Sequence, residues 1–221
     1  MSRAVVRSLL EGGEGTVAVP LALAPAARIA ERDWKGFLTD PTQLANGLRD
    51  LVNAVNPDGV PLTSDDELLR EATAGAWSQG AHLQAAQEAA RRLRQTLGDR
   101  MALVAVLPGP ARVAAATDND LPAAVGLVQA LGESLLAAGA DVLLVRDEGE
   151  SDAGLSTLAN IARFHRALAL AVGQPTGGLP EVTRLPLQAP TPAEGVVVTD
   201  EQLPRDVDFT LLEDWLDGVH G

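Results

Sequence analysis

Short apolar runs that stop at Pro, Gly or charge alternate along this chain with longer stretches of helical period, and this alternation limits the possible folds more than any other feature. The strand candidates are "GTVAVPLALAP", "DGVPL", "MALVAVL", "DVLLVR", "VTRLPLQ" and "GVVVTD". Between them, Asp40 as N-cap with Pro41 in the first helical position opens "PTQLANGLRDLVNAV", whose Leu44, Leu48, Leu51, Val52 and Val55 recur at helical spacing. Ser64 and Glu67 in "TSDDELLREATAG" have the spacing of a capping box. "HLQAAQEAARRLRQTLG" stops at Gly98 and "LPAAVGLVQALGESLLAAG" at Gly139, residues suited to the left-handed conformation after a helix end. "LSTLANIARFHRALALAVG" predicts one further helix, ending at Gly173, and "DVDFTLLEDWLDGV" a final amphipathic one. Residues 174–194 are an irregular segment rich in Pro and Gly.

Strands alternating with helices predict an α/β fold with a parallel sheet and right-handed crossovers, either doubly wound or a barrel. In both, function sits at the carboxyl ends of the strands. That rule gathers residues 25–28, 63–66, 108–112, 146–148 and 200–201 on one face. The chain of 221 residues can bury one full core, so a single domain over 1–221 is expected.

Charge and composition remove several function classes. With 17 basic against 30 acidic residues the net charge is −13, and no Lys/Arg run is long enough to follow a phosphate backbone, so nucleic acid is not an expected partner. No Cys is present, which excludes disulfides, thiolate zinc sites and cysteine nucleophiles and fits a reducing, cytoplasmic compartment. The histidines, His82, His165 and His220, are scattered, so neither a metal nor any other cofactor is expected. No run approaches the ~18 apolar residues of a membrane span, and no membrane association is expected.

Four segments together resemble the uroporphyrinogen decarboxylase superfamily, which includes cobalamin- or corrinoid-dependent methyltransferase relatives. They are "FLTDPTQLANGL", "DGVPLTSDDELLREATAGA", "VAVLPGPARVAA" and "LLAAGADVLLVRDE". The family's D-A-A-I-L-F-S-D loop falls on D-G-V-P-L-T-S-D, so Asp65 takes the place of its catalytic aspartate. Its G-A-D-A-V-Q-I-F-D falls on "GADVLLVRD", which gives Asp147 the place of the rim aspartate after the fourth strand. The resemblance implies a (β/α)8 TIM-barrel-like fold, incomplete or reduced here because about six strands are legible. It also implies a tetrapyrrole or methyl-group substrate. The family's N-terminal arginine pair is missing, with only Arg28 nearby, and the chain has neither Tyr nor Cys.

Each candidate has a structural alternative. Asp65 is an acid or charge stabiliser by resemblance, yet Ser64-Asp65-Asp66-Glu67 is also what a helix N-terminus prefers electrostatically. Asp147, with Arg146 and Glu148, forms either a solvated loop or one wall of a site. Gly109 and Arg112 in "PGPAR" offer backbone N–H groups and charge to an anion, or merely reverse the chain. His82 and His165 are expected to be structural or exposed, His220 to lie in a frayed tail, and Trp34, Trp77 and Trp215 to anchor the core. The last helix must bury Leu211, Leu212, Trp215 and Leu216 against its own core or a second subunit, which leaves a homo-oligomer open.

Two functions fit these residues. One is a small-molecule enzyme, a carboxy-lyase or methyltransferase relative, or a binder acting at the strand-end rim. It takes Asp65 and Asp147 as catalytic and Arg28, Gly109, Arg112, Arg146 and Glu148 as substrate-binding. The other is a catalytically inactive reduced barrel used as a binding or assembly module. A shared site requires Asp65 and Asp147 to converge with Arg112 or Arg146 close by.

Overall fold

Every strand in the computed structural model pairs in parallel, as the alternating pattern requires. The structure describes residues 2–75, 77–147, 155–172 and 178–221. In chain order the elements are α1 (Ser2–Leu10), β1 (Thr16–Val19), α2 (Leu23–Ile29), α3 (Trp34–Thr39), α4 (Pro41–Val55), β2 (Gly59–Pro61), α5 (Asp65–Thr73) and α6 (Ala81–Leu97). They continue with β3 (Ala102–Pro108), α7 (Pro110–Ala116), α8 (Leu121–Ala138), β4 (Val142–Arg146), α9 (Ser156–Phe164), β5 (Leu168–Val172), β6 (Thr183–Leu185), β7 (Gly195–Thr199) and α10 (Phe209–His220).

The strands form two sheets, ordered β1-β7-β6 and β2-β3-β4-β5. At one seam the Asp58 N–H donates to the Ala18 carbonyl at 3.2 Å, while the Asp58 carboxylate accepts from the Ala18 N–H at 2.9 Å. At the other seam Ala171 and Glu181 form a parallel bridge, with Ala171 N donating to Pro180 O and Val182 N to Ala171 O, both at 2.8 Å.

Alternate residues of the strands feed two apolar clusters, which explains why the runs are apolar throughout. Val17, Val19, Ala102, Val104, Val106, Val142, Leu144, Leu170, Val196 and Val198 meet one another in the first cluster, and Val6 of α1 joins them. Leu103, Ala105, Leu107, Leu143 and Val145 point the other way, into a cluster with Leu44, Leu48, Leu51, Leu93, Leu131, Leu135 and Trp215 of the helices. Gly59 permits a close approach of β2 to its neighbours, since an added Cβ would lie 2.9 Å from Val19 Cγ2 and 3.0 Å from the Ala102 carbonyl oxygen.

Several local expectations hold. The Asp40 side chain accepts from Thr42 N and Gln43 N ahead of Pro41, and Gly139 closes α8 at φ 114°. Others need correction. The capping box is not formed: Ser64 makes no side-chain cap bond, and Glu67 instead accepts from Trp34 Nε1 at 2.9 Å and pairs with Arg70. The helix expected to run to Gly173 ends at Phe164. Arg166 turns the chain at φ 57°, Ala167 N bonds back to Ala162 O, and "LALAV" becomes β5 beside β4. Its Ala and Leu favour a helix, but the open edge of β4 supplies a ladder that overrides the preference. Gly173 itself and Glu148 lie outside the described residues.

α8 is long and apolar enough by length and composition to cross a membrane, contrary to the sequence reading. It lies against α6, α7, α9 and β3, with Val128, Leu131, Leu135 and Leu136 buried, as a core helix does. His220 ends α10 and reaches Asp58 Oδ2 at 2.9 Å, so it is tied rather than frayed. Trp215 is fully buried and Trp34 and Trp77 pack partly buried against the core, whereas Leu211 stays exposed.

Candidate functional site

Asp65 begins α5 shortly after β2, and the residues from Thr63 to Asp65 are fixed by bonds to other elements. Thr63 Oγ1 both donates to Val106 O at 2.7 Å and accepts from Val106 N at 2.8 Å, extending the pairing of β2 with β3. The Ser64 N–H donates to His82 Nε2 at 3.0 Å, and the opposite ring nitrogen of His82 sits 3.2 Å from the Leu38 carbonyl. These bonds require a neutral imidazole with its proton on Nδ1.

His82 is only 2% exposed, and burial pushes its imidazole below the usual range. The unfolded chain therefore takes up a proton near pH 6.5 while the folded one does not until lower pH. The stability that His82 contributes is complete above that value and is lost as pH falls through the window, at about 1.4 kcal/mol per pH unit. Urea unfolding between pH 7 and pH 5 should show this slope, and His82→Gln should flatten it. An equal slope in both proteins would remove His82 as its source.

The Asp65 carboxylate is wholly buried. Oδ2 is gripped by the Arg112 guanidinium and lies 3.9 Å from Arg146 Nε, whereas Oδ1 is buried with no hydrogen-bond partner among the described residues. Such an atom is costly to leave unmet unless something else approaches it. Arg112 also binds Asp66 at 2.7 Å.

Asp147 follows β4 and turns toward the first turn of α7. Its carboxylate accepts from Ala111 N at 3.2 Å and Arg112 N at 3.1 Å. The N–H groups that "PGPAR" was expected to offer to a ligand are thus given to Asp147. Asp147 fixes the backbone of Arg112, and Arg112 fixes Asp65, so the two aspartates converge through one arginine. Gly109 makes this possible, because a Cβ there would overlap the Asp147 side chain. Gly109→Ala should cost about 1–3 kcal/mol by overpacking, read as a lower urea midpoint at unchanged slope; a change within 0.5 kcal/mol, the range of ordinary surface substitutions, would show that the loop gives way freely.

An open cleft of about 250 Å³ lies beside this network, lined by Arg146, Asp147, Val172, Arg184, Asp200, Glu201 and Gln202. Arg146 connects the two, lining the cleft while lying 3.9 Å from Asp65. Gln202 Nε2 is buried with no partner among the described residues. Arg28 is placed elsewhere: it donates to Val207 O at 2.9 Å and stacks 4.5 Å over the Phe209 ring. The sequence does not single out Arg184, since β6 is only three residues long and carries almost no pattern, or Gln202, which lies past the end of β7. A larger cleft of about 590 Å³, lined by Ser2, Asn56, Asp58 and Arg100 among others, holds none of the candidate residues. No group of three or more His, Asp or Glu suited to a metal occurs among the described residues.

No model of a protein family matches the sequence, and no curated protein matches it. Among solved structures the fold is similar to that of a methyltransferase from Methanosarcina mazei, with a TM-score of 0.60 and 14% identity over 77% of this chain and 68% of that one. At that identity the likeness is one of α/β fold.

Proposed function

We propose that the two sheets form one reduced parallel barrel, and that the protein binds a small molecule at the carboxyl ends of its strands, as an enzyme or binder related to the uroporphyrinogen decarboxylase and methyltransferase superfamily. A backbone bond from Asp58 to Ala18 at one seam and the bridge between Ala171 and Glu181 at the other support the barrel. The likeness of fold to a methyltransferase agrees with the relationship.

One observation carries the functional reading: a fully buried carboxylate, Asp65, keeps one oxygen without a partner among the described residues while its other oxygen faces two arginines, one of which lines the cleft. A reactive or recognised group held by Arg146 would lie beside a carboxylate able to accept a hydrogen bond or proton. Asp147 acts as the positioning residue for Arg112, and Gly109 makes room for it. The cleft, at about 250 Å³, is below the roughly 300–1,000 Å³ of ordinary ligand pockets. That size favours a small metabolite over a tetrapyrrole.

Native mass spectrometry of the purified protein tests this reading. A small molecule retained at one per chain, and lost in both Arg146→Gln and Asp65→Asn while the fold survives, is the expected result. A species retained equally by both variants would overturn the rim as the site.

A further inference from the structure

We propose that the rim cleft takes a small zwitterion, its oxyanion end held by Arg146, Arg184 and Gln202 and its cationic end by Asp200 and Glu201. This rests on the reading of the rim as a ligand site and names the ligand's class.

The order of strands sets out the charges. Arg146 on β4 stands in register with Val172 on β5, and β6, which carries Arg184, pairs with β7. Asp200 N donates to Leu185 O at 3.1 Å, which fixes residues 200–202 just beyond β6. The cleft thus has guanidinium groups from β4 and β6, the Asp147 carboxylate after β4, which is engaged by the Ala111 and Arg112 N–H groups, the Asp200 and Glu201 carboxylates after β7, and the buried side chain of Val172 between. Among the described residues no ion pair joins Arg184 to Asp200 or Glu201, although all three line the same cavity.

Three physical points select the ligand. The buried Gln202 Nε2 is a donor unmet among the described residues, which calls for an acceptor oxygen from the ligand. Guanidinium groups recognise carboxylate or phosphate oxygens through paired N–H donors. Asp200 and Glu201, in a chain of net charge −13, repel a second anionic group and attract an ammonium. A dianion meets the carboxylates and a diamine meets the arginines, so only a molecule with both signs matches both ends. The apolar surface of Val172 suits a short methylene linker.

Three probes of one chain length separate the possibilities: 5-aminovalerate, glutarate and cadaverine, titrated into the full chain and followed by NMR shifts of residues 146, 184 and 202. The expected result is 5-aminovalerate binding at least about tenfold more tightly than either other probe. Arg184→Met should abolish that binding, and the Asp200→Asn/Glu201→Gln pair should turn the preference toward glutarate. These side chains are exposed, so the variants should fold. Glutarate or cadaverine binding at the rim as tightly as 5-aminovalerate would overturn the zwitterion while leaving a rim ligand site intact. No rim shifts with any probe would also overturn it, and retention of a co-purified species in the Arg146 and Asp65 variants would separately overturn the site.

Discussion

Arg112→Met should destabilise the protein by about 3–5 kcal/mol, because it strips a wholly buried carboxylate of its main partner. Among the described residues Asp65 would keep only Arg146, which stands 3.9 Å away and outside hydrogen-bond distance. Losing the bond to Asp66 adds little, since that carboxylate is 61% exposed. For a chain of this length the melting temperature should fall by roughly 6–20 °C. Adding Asp65→Asn in the same chain should recover much of the loss, since a neutral amide no longer carries a buried charge. A double variant no more stable than Arg112→Met would show that the guanidinium acts through packing and not through the pair.

Asp141→Ala should have an effect of similar size at the opposite end of the strands. Asp141 is 3% exposed and accepts from Arg3 Nε at 2.8 Å, from Arg94 and from Leu103 N at 2.9 Å. It therefore joins α1, α6 and the start of β3 just ahead of β4. Its removal leaves the Arg94 guanidinium, whose side chain is 18% exposed, without its carboxylate, and the expected cost is again about 3–5 kcal/mol. Hydrogen exchange should rise first in α1, where Arg3 keeps only its pair with the exposed Asp99, so that the helix frays before the sheets open. Uniform protection in α1 together with a urea midpoint near that of the parent would contradict this account.

The candidate site was partly legible. Asp65, Asp147 and Arg112 follow predicted strands and Arg146 ends one, and the fold brings them together there. What could not be read is how they are wired. His82 supports Ser64 from 18 residues away, and no local pattern distinguishes an imidazole that accepts a backbone N–H from one that merely packs. Arg184 and Gln202 were hidden for a different reason. A three-residue strand is too short for periodicity, and a side chain's approach to a cleft depends on which strand lies beside it.

The sequence by itself determined the elements whose causes are local. Pro41 after Asp40, the glycine after α8 and the period of Leu44, Leu48 and Leu51 act within a few residues, and they hold in the structure. It also determined that β3 is buried on both faces, because its run "ALVAVLP" contains no polar residue to face water. Tertiary structure alone decided that "LALAV" is a strand and that Ser64 does not cap its helix. It likewise decided that the "PGPAR" amides serve Asp147 in place of a ligand. In each case the local preference is worth on the order of 1 kcal/mol or less. A neighbouring strand edge, a buried imidazole or a carboxylate brought from 35 residues away offers a stronger hydrogen-bond partner, and the chain takes it.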